Sequence, residues 1–253
     1  MRTEADGGLD DRVPFLARLE SEDRSSLLAL GCQLDFTARM VLIHQHEPSS
    51  HVLFLVQGWT KVTARATNGY EALLALRGPG DIVGESAALT GRPRSATVTA
   101  LEPVRAVAVG HERFRDFLSQ SPAVSLALLR LTADRAQTAD RRRLELASMS
   151  VRERIAVLLL DLARTHGRRI EEGIELAVPL SKQELADSVG ASRQMVQRLL
   201  RELRDKKVVA TGRRTLLILR PDVLGRIAPA EQASATIPDT PTNRTLSRTG
   251  CIA

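Results

Sequence analysis

The chain has 253 residues, with 43% hydrophobic, 26% charged and only 3% aromatic residues, which is typical of a globular protein with an aliphatic core. Two cysteines are too few for a four-thiolate zinc or iron–sulfur site, and no apolar run approaches the ~18 residues of a membrane-spanning helix. The acidic N-terminus lacks the apolar stretch of a signal peptide, so we expect a cytoplasmic protein. A net charge of +6 is compatible with a nucleic-acid partner.

Residues 14–32 show apolar positions at helical spacing, and short β-type runs follow from about 36 to 110. Turn signals separate these runs. Among them, Asn68-Gly69 predicts a two-residue hairpin turn, in which both central positions need positive φ. Several short strands at this spacing predict a small β-roll or jelly-roll barrel, a fold that can enclose a pocket. We place this domain at residues 14–121.

A long helix is predicted after Pro122, because neither glycine nor proline interrupts residues 122–149. Along it, steps of three and four residues separate the positions of a candidate two-stranded seam: Leu129, Thr132, Ala136, Ala139, Arg143 and Leu146. The seam is small and partly polar. The helix therefore either pairs two copies of the chain or packs on its own barrel.

Three helix starts follow between residues 150 and 225. Ser150-Val-Arg-Glu153 and Ser181-Lys-Gln-Glu184 have the spacing of capping boxes, and Ser192 can cap the third helix. The run "KKVVATGRRTLLIL" then predicts two short strands. From residue 229 the composition turns to Pro, Thr, Ser and Asn without periodicity, so we expect residues 229–253 to be disordered.

The segment "SKQELADSVGASRQMVQRLLREL" has the pattern of a helix-turn-helix. Ala186 is small where the two helices must cross closely, and Gly190 falls in the turn, where left-handed geometry suits glycine. Arginine can bridge O6 and N7 of guanine, and glutamine can pair with N6 and N7 of adenine. The candidate DNA-reading residues are Ser192, Arg193, Gln194, Gln197 and Arg198; the candidate phosphate contacts are Lys206, Lys207, Arg213 and Arg214.

The stretch "GDIVGESAALTGRPRSATVTA", residues 80–100, predicts an anion site. Gly84 lets the backbone approach a ligand, and "ESAALT" can form a helical turn whose free amides point at it. Arg94 supplies a bidentate fork for a phosphate, with the Ser95 hydroxyl and the Ala96 amide as further donors. Glu85 would repel a phosphate, so it must face a neutral donor such as a ribose hydroxyl. A ligand with one phosphate and one sugar hydroxyl, a cyclic nucleotide, satisfies these conditions.

At this point the chain resembles the Crp–Fnr superfamily of transcription regulators. "GESAALTGRPRSATV" resembles the phosphate-binding cassette of cyclic-nucleotide domains, and "SKQELADSVGASRQMVQRLL" resembles the family's winged helix-turn-helix. The resemblance covers about residues 14–225 and implies an α+β fold: an N-terminal β-roll (14–121), a long dimerisation helix (122–149) and a C-terminal winged helix-turn-helix (150–225). It also implies that Gly84 and the Ser86 amide line the pocket, that Glu85 binds the ribose hydroxyl, and that Arg94 and Ser95 hold the phosphate.

Two departures from the family pattern bear on specificity. The family's cyclic-AMP sensors recognise adenine through a Thr-Ser pair on the long helix, and an ungapped count places that pair on Ala139 and Asp140, beside Thr138. Thr138 and Asp140 are thus the candidate base contacts, and cyclic AMP, cyclic GMP and a larger nucleotide all stay open. In the recognition helix, Arg193 and Arg198 match the family's two guanine-reading arginines. Gln194 stands where the best-known member has glutamate.

These features predict a ligand-responsive, sequence-specific transcription regulator that binds cyclic AMP or cyclic GMP as an effector and pseudo-palindromic double-stranded DNA as a homodimer. RNA polymerase is a further expected partner, and a membrane is not. Two alternatives stay open: a regulator that binds DNA without cyclic nucleotide or senses another nucleotide, and a nucleotide-binding signalling module whose winged helix contacts proteins.

No enzyme, metal site or resident cofactor is expected. The sequence shows no nucleophile–base pair or metal-ligand set at useful spacing. His44, His46 and His51 lie near one another, but three histidines in a strand-and-turn region are more often surface residues than haem or metal ligands.

Overall fold

The computed structural model describes residues 13–48, 50–176, 180–212 and 215–229. Its first elements are a short 3-10 helix, Phe15–Arg18, and α1, Ser21–Ala29. The single helix expected over 14–32 is therefore wrong, because Leu19 and Glu20 adopt extended backbone between the two elements. The break allows Phe15 to turn inward, where its ring stacks on Phe54 at a centroid distance of 6.1 Å.

Eight strands of the described chain form the β-roll predicted from the sequence. They pair as two four-stranded antiparallel sheets, ordered β1-β8-β3-β6 and β2-β7-β4-β5. The strands are β1 Cys32–Phe36, β2 Val41–Ile43, β3 His51–Gln57, β4 Thr60–Arg65, β5 Glu71–Arg77, β6 Ile82–Val83, β7 Thr97–Ala100 and β8 Val104–Gly110. Aliphatic side chains of both sheets, such as Leu53, Leu55, Val98 and Ala106, fill the space between them.

The β4–β5 hairpin is present where Asn68-Gly69 predicts one, but its turn differs. Ala66 N donates to Tyr70 O at 2.8 Å, so residues 67–69 form a three-residue loop. Gly69 has a φ of +84°, whereas Asn68 does not have a positive φ. The predicted two-residue turn is wrong because a three-residue loop needs only one left-handed position, which the glycine supplies.

Two short helices lie in the β-roll, and a long third helix leads from it to the C-terminal part. They are α2 Glu85–Thr90, α3 His111–Gln120 and α4 Pro122–Ser148. The first half of α4 packs on the barrel, with Val124 and Leu131 both fully buried. On the predicted seam, Leu129 is 64% exposed and Leu146 is 50% exposed. The long helix therefore packs on its own barrel at one end and leaves most of its seam uncovered within the described chain.

The C-terminal part contains α5 Val151–His166, α6 Lys182–Val189, α7 Arg193–Asp205 and α8 Pro221–Ile227. Both predicted capping boxes are present, and the Ser192 hydroxyl accepts from Met195 N. A sheet ordered β11-β12-β10-β9 completes this part, with β9 Gly167–Ile170, β10 Gly173–Leu176, β11 Val209–Thr211 and β12 Leu216–Ile218. The sequence predicts β11 and β12 but not the β9–β10 hairpin. Of the helices in the described ranges, none combines the length and apolar character needed to span a bilayer.

Candidate functional site

The glycine-rich stretch folds as a strand, a glycine and a short helix. Gly84 follows β6 with φ +85° and ψ 3°, in the left-handed region, and caps the N-terminus of α2. A Cβ atom at this position would lie 2.4 Å from Nη1 of Arg94. The sequence predicts that the Gly84 backbone lies close to a ligand. In the structure it lies close to the guanidinium of Arg94. Ser86 and Ser95 are exposed, and Ala96 is half-buried.

Arg94 lies beneath α2 and is only 4% exposed. Its Nη1 donates to Gly84 O at 2.8 Å, and its Nη2 donates to His51 O at 2.5 Å. Burial lowers the pKa of Arg94, while the carboxylates of Glu85 and Glu47 oppose this shift. Burial and then the Arg94 charge also lower the pKa of His51. The glycine-rich stretch therefore contains a buried guanidinium whose position is fixed by hydrogen bonds to two carbonyl oxygens.

Glu85 faces the long helix. The residue is 9% exposed, and its Oε1 atom accepts from Nη1 of Arg135 at 2.6 Å. Nη2 of Arg135 also donates to Ile82 O at 3.0 Å and lies 3.9 Å from Oδ1 of Asp81. Arg135 thus joins α4 to the start of α2. Sequence reasoning missed this residue, although it lies one turn before Thr138 and on the same helical face.

The two candidate base contacts, Thr138 and Asp140, differ in their burial and in their hydrogen-bond partners. The Oγ1 atom of Thr138 is buried and has no hydrogen-bond partner among the described residues. Asp140 is exposed and pairs with Arg143 at 2.8 Å, and it makes no hydrogen bond or ion pair with the glycine-rich stretch within the described ranges. Thr138 also lines a cavity of about 630 Å³ between the β-roll and the C-terminal part. Its walls include Trp59, Arg77, Thr138, Arg142, Leu158 and His166.

The α6–α7 pair has the geometry of a helix-turn-helix. Ala186 is fully buried at the crossing, and Gly190 ends α6 with a φ of +59°. The outward side of α7 and the segment after it expose the candidate contacts Ser192, Arg193, Gln194, Gln197, Arg198, Lys206 and Lys207. The Ser192 hydroxyl is already used as a helix cap at 3.2 Å from Met195 N. Arg213 and Arg214 lie outside the described residues.

Comparison with known proteins bears on both parts. The family model described as "Cyclic nucleotide-binding domain" matches residues 33–121, and the one described as "Crp-like helix-turn-helix domain" matches residues 153–227. A "CRP-like cAMP-activated global transcriptional regulator" of Mycobacterium tuberculosis is 30% identical over 223 residues, which cover 87% of this chain and all of that protein. The chain belongs to the Crp–Fnr family of transcription regulators. It is accordingly a DNA-binding regulator and not an enzyme.

A further relative agrees in sequence, and two solved structures agree in fold. The "cAMP-activated global transcriptional regulator CRP" of Escherichia coli O157:H7 is 28% identical over 185 residues, 72% of this chain and 87% of that protein. FixK2 of Bradyrhizobium japonicum superposes with a TM-score of 0.70 at 20% identity, over 79% of this chain and 98% of that one. A CooA mutant of Carboxydothermus hydrogenoformans gives 0.70 at 23%, over 85% and 96%. The predicted α+β architecture is confirmed.

Proposed function

We propose that this Crp–Fnr regulator binds a cyclic nucleotide between α2 and β7 and that this ligand changes its affinity for DNA. The buried Arg94 guanidinium carries the proposal. Its two observed hydrogen bonds use two of the five N–H donors of an arginine, and the other three have no partner among the described residues. A desolvated cation with donors to spare suits an anionic phosphate oxygen.

The neighbouring residues would complete this site. The Ser95 hydroxyl and the Ala96 amide would donate to the phosphate, and the amides at Gly84 and Ser86 would line the pocket at the N-terminal end of α2. The Oε1 atom of Glu85 is bound to Arg135, so its other lone pairs are the acceptors for a ribose hydroxyl. The relatives in M. tuberculosis and E. coli are named as cAMP-activated.

The base of the nucleotide is the open part of the proposal. The family's Thr-Ser positions hold Ala139 and Asp140, and Asp140 pairs with Arg143. Thr138 offers a buried hydroxyl without a partner among the described residues, one residue away. We therefore propose Thr138 as the first candidate for the base contact and Asp140 as the second. This departure favours testing cyclic GMP and other nucleotides beside cyclic AMP.

At the other end, α7 would enter the major groove of DNA with its N-terminal residues. Arg193 and Arg198 would each read a guanine and Gln194 an adenine, while Gln197 lies beside them and Lys206 and Lys207 contact phosphates. A second copy of the chain would cover the exposed seam of α4. In a monomer, Leu129 and Leu146 would leave this apolar surface in contact with water, which is unfavourable. The proposed units are residues 14–121, 122–149 and 150–225.

Selection from random-sequence duplexes, with and without cyclic AMP or cyclic GMP, tests this function. We expect a pseudo-palindromic site whose half-site centres lie about 10 base pairs apart, roughly one helical turn. Enrichment should require one of the nucleotides. A single unrepeated half-site would contradict the homodimer, and equal enrichment without nucleotide would favour a regulator that binds DNA unaided. Absence of any enriched sequence would favour the signalling module.

A further inference from the structure

The β4–β5 hairpin of the β-roll is attached to the first helix of the helix-turn-helix. Lys61 Nζ on β4 lies 2.9 Å from Oε1 of Glu184 on α6, and the two side chains are only 21% and 14% exposed. Burial opposes ionisation of Glu184, but hydrogen bonds from Ser181 and Lys61 outweigh it and lower its pKa. The contact is therefore an ion pair that is largely shielded from solvent, unlike most surface pairs.

A second contact lies two residues earlier in the chain, at the same open end of the hairpin, where Lys61 faces Leu76. Trp59, immediately before β4, packs on the ring of His166 at the end of α5, with ring centroids 4.4 Å apart. Gly78 allows this position of the indole, since a Cβ atom there would come within 2.3 Å of the Trp59 ring. Lys61 and Trp59 thus fix the hairpin against two different helices of the C-terminal part.

The long helix connects these contacts to the candidate nucleotide site. Arg135 of α4 binds Glu85, and about two turns later on the same face Arg142 donates to the carbonyl oxygen of Leu74 in β5. One helix face therefore touches both α2 and the β4–β5 hairpin. Movement of α4 relative to α2 would displace the hairpin, and with it the anchor point of α6.

We propose that the Lys61–Glu184 ion pair and the Trp59–His166 stack form a strut that couples the nucleotide site to the orientation of the DNA-reading helix. The first helix of a helix-turn-helix crosses the DNA backbone and supports the second. An anchor in the first turn of α6 therefore constrains the direction in which α7 points. The proposal rests on the proposed function for the identity of the effector, but the strut itself rests on the contacts above.

The chain offers matched variants for a test. Glu184→Gln removes the charge of the ion pair, while glutamine can still accept from Ser181 N in the capping box. Glu153→Gln is its control, because Glu153 caps α5 in the same way through Ser150. Lys61→Met keeps the aliphatic stem but not the charge. Its control is Arg65→Met, which removes a cation from the same strand; among the described residues this cation pairs only within the hairpin, with Glu71.

The quantity to measure is the ratio of DNA affinities with and without saturating cyclic nucleotide, by fluorescence anisotropy on the selected duplex. We expect Glu184→Gln and Lys61→Met each to reduce this ratio at least about fivefold, the low end of usual coupling between sites. The double variant should lose no more than either single one, since both break one contact. The controls should keep the wild-type ratio. Unchanged ratios in Glu184→Gln and Lys61→Met would overturn the strut.

If no cyclic nucleotide changes the DNA affinity of the wild-type protein, the proposed function is wrong. The strut is then tested by a second measurement. That measurement is amide hydrogen exchange of the full-length protein. We expect the amides of α6 and β5 to exchange faster in Glu184→Gln than in Glu153→Gln, because the docked arrangement opens more often. Equal exchange in the two variants would overturn the strut independently of any ligand.

Discussion

The two glycines at the ends of α2 allow the role of Arg94 to be separated from backbone strain. Gly84 and Gly91 have φ values of +85° and +70°, with similar ψ values. An alanine in this left-handed region costs about 1–2 kcal/mol at either end. A Cβ atom at position 84 would also lie 2.4 Å from Nη1 of Arg94 and 3.0 Å from Cδ1 of Ile43, whereas at position 91 it would meet nothing within 4 Å.

Gly84→Ala must therefore also displace the buried guanidinium. The hydrogen bond from Nη1 of Arg94 to Gly84 O involves a charged donor, and its loss adds roughly 1.5–3 kcal/mol. We expect the free energy of unfolding to fall by about 1–2 kcal/mol in Gly91→Ala and by about 2.5–5 kcal/mol in Gly84→Ala. The nucleotide affinity should fall at least about tenfold in Gly84→Ala alone, since only there is Arg94, the arginine proposed to bind the phosphate, displaced.

Urea unfolding of both variants provides the measurement. The chain has one tryptophan, Trp59, next to β4, and its emission reports on the β-roll and on the contact of this residue with His166. Nucleotide titration of the folded variants gives the second quantity. Equal losses of stability and of nucleotide affinity at Gly84 and Gly91 would refute the reasoning, because the contact with Arg94 would then contribute nothing beyond the backbone term.

Three further predictions concern the C-terminal part. Burial, and secondarily the charge of Arg77, lowers the pKa of His166 to about 4. Between about pH 6.5 and 4 the undocked form therefore binds a proton that the docked form does not. We expect the docking of His166 on Trp59 to weaken by at most about 2 kcal/mol from pH 7 to 5, as measured by Trp59 emission. Gln194→Glu should move the base preference at one step from adenine toward cytosine by about 1–3 kcal/mol, measured by parallel selections at one salt concentration. Arg154→Met should lower the melting temperature, because its guanidinium donates to the carbonyl oxygens of Leu146 and Met149 at the α4–α5 junction and of Val189 at the end of α6.

Each of these has a contradicting result. His166→Phe keeps an aromatic contact with Trp59 but cannot titrate, so the same pH dependence in this variant would exclude His166 as its source. Identical base preferences in wild type and Gln194→Glu would mean that position 194 does not read a base. An unchanged melting temperature in Arg154→Met would mean that the junction is held by packing alone.

The sequence predicted features that depend on neighbouring residues. The capping boxes at Ser150 and Ser181 need only the residue three positions on, and the bend at Gly190 needs only its own freedom of φ. The β-roll followed from the spacing of short apolar runs. The same local reasoning failed at residues 19–20, where the inward turn of Phe15 onto Phe54, a long-range contact, decides where the helix breaks.

Contacts between distant segments were not predictable from the pattern. Arg135 and Glu85 are 50 residues apart, and many arginines on α4 are equally good partners until the register of the helix against the barrel is known. The Lys61–Glu184 pair depends on how the two parts of the chain are docked. The sequence therefore identified the residues of the glycine-rich stretch but not the partners that hold them.

The central claim, that Arg94 holds the phosphate of a cyclic nucleotide, is tested most directly by calorimetric titration of nucleotide-free protein. Cyclic AMP and cyclic GMP would be titrated into wild type and into Arg94→Leu, with circular dichroism to establish that the variant is folded. We predict one site per chain for at least one of the two nucleotides, and a loss of affinity of about ten- to a hundredfold or more in the variant. Equal affinity in a folded Arg94→Leu protein, or no binding of either nucleotide to wild type, would contradict the account.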